Sequence, residues 1–441
     1  MPEPALSLCD DLKSLRGFFK ISSTPSVDFP SGFKETDRIK IPDYTVSPRH
    51  AKNIVFWEFR SEELLAGPAR DVKMTNQKRK IVLLPGDGIG PEIVRLAVRV
   101  LKDCASAFGH QFDLAEFPFG GCAIDLTGMP LPAETLAACK SADAILLGAV
   151  GGTKWDALPI GKRPESGLLA LRKALGLYIN LRPIEVRPAL RSLSPLTADR
   201  AAGIHIEIIR ELAGDIYFGE HRIEADPSGE RATDEAVYTT GEVERVAKYA
   251  FARAEARTRR LASIDKANVL STSQLWRRTV TRLATDHPGV KLEHLYVDNA
   301  AMQLVLAPAQ FDVILTSNMF GDILSDLGAA LAGSIGLIPS MSCGPGPSLY
   351  EPIHGSAPSL AGKDVASPVG TILSASMMLR ESFGLKQEAD WIESAVDRLF
   401  SQGIRTADIS APGATPIRCS EFGERLHAEM METVERHAQD V

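Results

Sequence analysis

No run of apolar residues in this chain approaches the roughly 18–20 that a membrane-spanning helix needs, so no such span is expected. Cysteine is scarce and scattered. Cys9, Cys104, Cys122, Cys139, Cys343 and Cys419 stand far apart, with no CxxC pair. That pattern argues against both a zinc site and a disulfide framework. The six read as small core residues in a reducing compartment, and the expected location is the cytoplasm. An excess of positive charge is also lacking. Lys+Arg 49 against Asp+Glu 56 leaves a net charge of −7, the wrong sign for a nucleic-acid partner or an anionic membrane surface. There is no internal repeat.

What is present is ordinary for a globular enzyme: 44% apolar and 24% charged residues over 441 positions. That length suits two or three domains with ample core. Residues 1–73 stand apart. They alternate Pro, Ser and charged residues without a helical or strand period, and hold as many acidic as basic residues. A transit peptide is poor in acids and a signal peptide needs an apolar stretch, so neither fits. The segment is expected to be a disordered extension, or upstream sequence from a misassigned start, with Met74 opening the conventional chain. From Ile81 onward, strands and helices alternate. Strands are predicted at 81–84, 144–150 and 312–315, with helices from Pro91 through Leu101 and over 132–141, 276–283 and 320–332. Such alternation predicts an α/β fold with a largely parallel sheet.

Several segments carry candidate chemistry. Asn318-Met-Phe-Gly-Asp-Ile-Leu-Ser-Asp326 places Asp322 and Asp326 four residues apart, on one face of a predicted helix. Like charges there repel, and a divalent cation with a taste for carboxylate oxygen would relieve them. A bare DxxxD is more often a solvated acidic face, so its company decides. Arg172, Arg182 and Arg210 lie in apolar surroundings. A guanidinium in such a place needs a carboxylate or phosphate, from a ligand or from an internal ion pair. Lys266 stands among apolar residues at a predicted strand end, where desolvation favours base chemistry, although most such lysines snorkel to the surface. Tyr217 sits in a loop before Gly219, and Glu351-Pro-Ile-His354-Gly-Ser-Ala-Pro358 is a Gly/Pro-rich loop. That loop is suited to cradle a phosphate or ribose, or is an ordinary connector. Gly86-Asp-Gly-Ile-Gly90 follows the first strand but has the wrong spacing for a dinucleotide fingerprint.

Together these segments resemble the β-decarboxylating dehydrogenases of the isocitrate/isopropylmalate dehydrogenase family. The strings that carry the resemblance are LLPGDGIGPEI, LLGAVGG, RPESGLLALRK, LRP, RELAGDIYFGE, DKANVL, YVDNAAMQLV, NMFGDILSD and EPIHGSAP. They run from about residue 80 to Leu385. The resemblance implies a two-domain fold with a central mixed sheet flanked by helices, not a classical Rossmann fold. Residues 74–177 and 333–441 would form the first, cofactor-side domain. Residues 178–332 would form a central domain with the dimer interface and an arm at about 214–240. The partners implied are a small-molecule substrate and a second copy of the chain, in a homodimer with shared active sites.

The roles carried over are specific. Arg172, Arg182 and Arg210 match the arginines that clamp substrate carboxylates. Asp298 of one subunit, with Asp322 and Asp326 of the other, matches the Mg²⁺ or Mn²⁺ ligands. Lys266 matches the lysine, from the partner subunit, that helps take the C2 hydroxyl proton. Tyr217 matches the acid that protonates the enol. Glu351, His354, Gly355, Ser356, Ala357, Ser359 and Ser367 fall on the cofactor loop. Substrate choice would be read by Glu165, Leu168 and Leu169, with Val269 from the partner. Isocitrate enzymes generally place Ser and Asn at the leucine positions, and an apolar wall rejects a carboxylate. The implied activity is NAD-dependent oxidative decarboxylation of 3-isopropylmalate in leucine biosynthesis. Tartrate- or malate-type chemistry and a non-catalytic regulatory relative are the alternatives. Degenerate subunits typically lose some of the catalytic set, and this chain retains Lys266, Tyr217, the three arginines and the three aspartates. It departs at Ser359, where NAD-type relatives carry an aspartate for the ribose hydroxyls, and it lacks the Lys-Tyr pair of NADP-type relatives.

Overall fold

The structure, a computed structural model, describes residues 78–411 and 413–439. The extension over 1–73 and the proposed start at Met74 lie outside the described residues. In chain order the strands are β1 (Arg79–Gly86), β2 (Phe112–Glu116), β3 (Ala144–Ala149), β4 (Ile179–Glu185), β5 (His205–Glu211), β6 (His221–Asp226), β7 (Gly229–Asp234), β8 (Arg260–Asp265), β9 (Lys291–Tyr296), β10 (Val313–Thr316), β11 (Pro339–Cys343) and β12 (Ser348–Pro352). The helices are α1 (Gly90–Phe108), α2 (Gly121–Thr127), α3 (Ala133–Lys140), α4 (Pro164–Leu175), α5 (Ala198–Ala201), α6 (Thr240–Glu255), α7 (Ser271–Leu283), α8 (Val297–Leu306), α9 (Asn318–Ala332), α10 (Val369–Glu381), α11 (Lys386–Ser401) and α12 (Cys419–Gln439). None of the described helices is long and apolar enough to cross a membrane.

The elements follow from local sequence. β3 reads Ala-Ile-Leu-Leu-Gly-Ala and is buried along its whole length, as a strand covered on both faces must be. In α1, Ile93, Val94, Leu96, Ala97, Val100, Leu101 and Cys104 recur every three or four residues and are buried together. Each fully buried Ile or Leu there contributes about 1.5–3 kcal/mol. Pro91 lies in the first turn, where its missing N–H costs nothing. The helix runs past the expected Leu101 and stops at Gly109, whose left-handed φ of 73° lets its N–H reach the Ala105 carbonyl.

Ten strands form one sheet in the order β2-β1-β3-β12-β11-β4-β5-β10-β8-β9. The first four are mutually parallel, and so are the last four. The joins β12/β11, β11/β4 and β4/β5 are antiparallel. Two parallel wings are thus held by an antiparallel seam. Alternation of strand and helix predicts the wings. The seam arises because β4 and β5 are linked only by short helical turns, and antiparallel neighbours need no crossover helix. Helices flank this mixed sheet, and its order is not that of the classical dinucleotide-binding fold. β6 and β7 form a separate, largely exposed hairpin.

The seam positions the site. On β4, Asn180 and Arg182 point to one face while Leu181 points to the other. In register, Asn180 faces Arg210 of β5, and Arg210 pairs with Thr316 of β10. α9 begins two residues after β10, so its first turns lie over the arginines.

Candidate active site

Asp322 is where the site converges. Its carboxylate accepts from Arg210 Nη1 at 2.5 Å, lies 3.2 Å from Arg182 Nη1, and accepts from the Tyr217 hydroxyl at 2.9 Å. The side chains of Arg182 and Arg210 are only 8% and 5% exposed, against 35% for Asp322. Asp326, one turn on, is more exposed and stands 3.8 Å from Arg182 Nη1. Burial lowers the affinity of both guanidinium groups for their protons, and Asp322 offsets part of that in each. Burial pushes the Asp322 carboxyl up, but Arg210 and Arg182 outweigh it and hold the group below the usual carboxylate range. Asp326 is raised by burial, with the neighbouring Asp322 charge adding to it. Burial and then Asp322 raise the Tyr217 phenol above its ordinary value, so it keeps its proton.

Neutral side chains fix these charges. Arg182 Nε donates to Asn180 Oδ1 at 2.6 Å, and Arg182 Nη1 donates to Ser325 Oγ at 2.6 Å. Arg210 Nε donates to Asn318 Oδ1 at 2.9 Å. Asn318 Nδ2 in turn donates to the Gly214 carbonyl, and the Asn318 backbone N–H donates to the Tyr238 hydroxyl, each at 3.0 Å. Gly321 has a steric role. A Cβ there would stand 2.6 Å from Arg210 Cγ. Asp215, at φ 69°, accepts from the backbone N–H of Met319 and anchors the Tyr217 loop to the start of α9. Asn180, Asn318, Ser325 and Asp215 were not singled out from sequence. Their shared signal is a polar residue within a few positions of a buried arginine or aspartate.

A second cluster forms at the end of β8. Lys266 Nζ donates to Asp298 Oδ2 at 2.8 Å. Asp265 accepts from the Ala267 N–H and grips Arg277 through two bonds at 2.8 Å, and Arg277 stacks over Tyr296. Asp298, like Asp326, is open to solvent. Val269 is 65% exposed. Within one chain, Asp298 does not join Asp322 and Asp326. Among the described residues, the only three His, Cys, Asp or Glu side chains close enough to share one ion are Glu92, Asp364 and Cys419.

Arg172 and Glu351, expected to meet substrate and cofactor respectively, hold each other in a buried ion pair at 2.6 Å. Leu168 and Leu169 are half-buried on α4, and Glu165 is exposed in its first turn. In the loop after β12, Gly355 and Ser359 are exposed, His354 and Ala357 are half-buried, and Ser356 and Ser367 are buried. His354 Nδ1 lies 2.9 Å from the Gly355 carbonyl, which assigns the ring proton to Nδ1. Burial keeps the ring neutral.

The donor sets fit the groups that the resemblance implies. His354 Nε2, Ser367 Oγ and Arg172 Nε are buried without a protein partner, and a buried polar atom left so is costly. A cofactor in the loop and a carboxylate at Arg172 would satisfy them. Asp298, Asp322 and Asp326 offer only carboxylate oxygens, the chemistry that Mg²⁺ and Mn²⁺ prefer. A cavity of about 440 Å³ lies on the opposite face of β4, lined by Leu181, Pro183 and Met377. Its charged rim is paired internally, Arg253 with Glu207 and Glu381, and Arg380 with Asp390 and Glu393. The partly exposed cluster at Asp322 is therefore the better candidate.

Residues 80–426 match the isocitrate/isopropylmalate dehydrogenase family. A 3-isopropylmalate dehydrogenase from Nitratidesulfovibrio vulgaris is 55% identical over 349 residues, covering 78% of this chain and 98% of that protein. Its counterpart from Synechocystis is 52% identical over 354 residues, covering 80% and 98%. A crystal structure of isocitrate dehydrogenase from Methylococcus capsulatus superimposes with a TM-score of 0.72 at 32% identity, over 80% of this chain and 99% of that one.

Proposed function

The chain belongs to the isocitrate/isopropylmalate dehydrogenase family, and we propose that it converts 3-isopropylmalate to 4-methyl-2-oxopentanoate and CO₂ with reduction of NAD, a step of leucine biosynthesis. The observation that carries this reading is the meeting of Arg182, Arg210 and Tyr217 on Asp322. Two buried cations await carboxylates, a protonated phenol stands beside them, and an aspartate ties all three together.

Arg182 and Arg210 bind the substrate carboxylates, and Arg172 joins them as Glu351 shares its charge. Apart from the water-exposed Asp322 and Asp326, their side-chain partners Asn180, Ser325 and Asn318 are neutral, so part of the guanidinium charge is left for the ligand. Leu168 and Leu169 take the isopropyl group. Bound NAD supplies the acceptor for the hydride that leaves C2. A bound Mg²⁺ or Mn²⁺ supplies polarisation of the 2-oxo group and a counter-charge during loss of CO₂. Lys266 helps take the C2 hydroxyl proton. Tyr217 delivers a proton to C3.

The working unit of this reading is a homodimer in the cytoplasm. One protomer supplies Lys266, Val269 and Asp298, and its partner supplies the arginines, Asp322 and Asp326. What supports it is that Asp298, Asp322 and Asp326 do not come close enough within one chain to share an ion. The exposed apolar side chains Met302, Val305, Leu306 and Ile323 on α8 and α9 also support it. A hairpin as exposed as β6–β7 is marginal alone, which suits an arm that packs on a second copy. Residues 74–177 with 333–441 form the cofactor side, and 178–332 the central part. The test is turnover of 3-isopropylmalate by purified protein with NAD⁺ and Mn²⁺. EDTA should abolish it and Mn²⁺ or Mg²⁺ restore it, and isocitrate should be a very poor substrate. Full activity without metal, or equal kcat/KM for isocitrate, would overturn the reading.

A further inference from the structure

Asp87 is a buried carboxylate that no step above uses. It is 4% exposed, and among the described residues no cation is paired with it. Three backbone N–H groups satisfy it instead. Oδ2 accepts from Gly121 at 2.8 Å and from Gly151 at 2.9 Å, and Oδ1 accepts from Cys122 at 2.8 Å. Those donors belong to the first turn of α2 and to the exit of β3. The turn that bears Asp87 reaches further. Its own N–H bonds the Ala149 carbonyl, and the Ile89 N–H bonds the Ser356 carbonyl at 2.9 Å. The glycines beside it permit the approach. A Cβ on Gly88 (φ 58°) would stand 2.0 Å from Ser356 O, and one on Gly86 (φ 74°) 1.9 Å from Ala149 O. Gly151 leads on to the site, since a Cβ there would lie 2.5 Å from Glu165 Oε1 and 3.9 Å from Ser356 Oγ.

We propose that Asp87 is a positioning residue for the cofactor side of the active site: its carboxylate fixes the exit of β3 and the start of α2 against the Gly86–Gly90 turn, and so sets Glu165 and the Ser356 loop. The chemistry requires an aspartate. Three donors need two acceptor oxygens, and an asparagine would turn an NH₂ group toward one or more of them. The glycine-rich turn is thus a brace for the cofactor loop. This inference rests on the NAD-linked reading above.

The experiment compares Asp87→Asn with the wild-type full-length protein in three measurements: the Kd for NAD⁺ by calorimetric titration, the KM for the isopropylmalate substrate, and Tm. Loss of at least one charge-assisted bond at the brace should weaken NAD⁺ binding about tenfold or more. The substrate KM should change less than the NAD⁺ Kd, by no more than a few-fold through Glu165, because Arg182, Arg210 and Asp322 have their own supports. Gly120→Ala gives a second route, since its Cβ would press within 2.6 Å of Asp87 Oδ2 at a φ of 80°. It should show the same split between cofactor and substrate. Variants with lowered Tm but wild-type NAD⁺ affinity would overturn the proposal, and so would failure of both variants to fold, which leaves Asp87 a purely structural role. A wild-type protein that turns over no 3-isopropylmalate with NAD⁺ would instead overturn the reading on which it rests.

Discussion

Asp322→Asn separates the electrostatic duties of Asp322 from its shape. The native carboxylate meets Arg210 at 2.5 Å and Arg182 at 3.2 Å. Removing one partner of a fully buried pair costs about 3–5 kcal/mol. Two facts reduce that figure here. Water reaches Asp322, which is 35% exposed, and asparagine keeps one acceptor oxygen. A bond to a charged group contributes about 1.5–3 kcal/mol and a neutral one about 0.5–1.5. The difference is about 1 kcal/mol for each guanidinium, so about 2 kcal/mol for the two. That is roughly a 30-fold shift in the folding equilibrium and a fall in Tm of a few degrees.

The pH dependence carries a sign. The Asp322 carboxyl is depressed below its ordinary value. Its contribution is therefore full above the unfolded pKa of about 3.9 and is lost as pH falls through the lower folded value. The gap in stability between wild type and Asp322→Asn should be constant near neutrality and close below about pH 4. Thermal unfolding across pH, with and without ligands, is the assay. A dicarboxylate substrate should stabilise the variant at least as well as the wild type, since it returns anions to two bereaved arginines. Mn²⁺ should stabilise only the wild type. Turnover should fall on the order of 100-fold or more. A variant with native kcat and an unchanged Mn²⁺ half-saturation would refute the assignment of Asp322 to the metal and the arginine clamp together.

Tyr217→Phe should lower kcat on the order of 100-fold while the KM for isopropylmalate stays within a few-fold; an unchanged kcat removes Tyr217 from the proton transfer. Because the Tyr217 phenol is raised above its ordinary value, its bond to Asp322 is fully present below an unfolded pKa of about 10 and is lost only as pH rises through the still higher folded value, so the wild type should show no loss from this group across the neutral range. Leu168→Ser should cut kcat/KM for 3-isopropylmalate about 10–100-fold without harming the residual use of isocitrate; equal losses for both substrates would show that the wall does not select. Ser359→Asp should tighten NAD⁺ and weaken NADP⁺ in direct binding titrations; unchanged affinities would show that Ser359 does not face the ribose.

Much of the wing architecture was legible because it is local. Ala144–Ala149 and Ile81–Leu84 are apolar runs of strand length, and Pro91 marks the start of the helix between β1 and β2, although its end at Gly109 lies beyond the expected Leu101. The antiparallel seam was not. Pairing of Pro339–Cys343 with β12 is a hairpin closed by the Gly/Pro turn over 344–347, but nothing in the segment says that it will also pair with β4, because that choice is made by packing with a strand more than a hundred residues away. The spacing of Asp322 and Asp326 placed them on one helix face, and both do lie beside Arg182.

The partners of the charged residues were hidden for a different physical reason. A motif reports the residue type that chemistry needs, but not what the residue leans on in the folded chain. Arg172 looks like a free clamp in Leu171-Arg172-Lys173, yet it is held by Glu351 from 179 positions away. Arg182 looks similar and instead rests on Asn180 and Ser325. That difference separates an arginine committed to a buried acid from one whose acids are open to water. Arg182 and Arg210 face Asp322 and, at 3.8 Å from Arg182, Asp326, so the acids that offset their charge are open to water and are ones a bound metal would draw away. Arg172 and Glu351 cancel. Substrate affinity should therefore rest chiefly on Arg182 and Arg210, with Arg172 entering to the extent that Glu351 releases it. A sequence holds all four residues in plain view and none of that ranking, because the ranking is set by distance and burial after the sheet has closed.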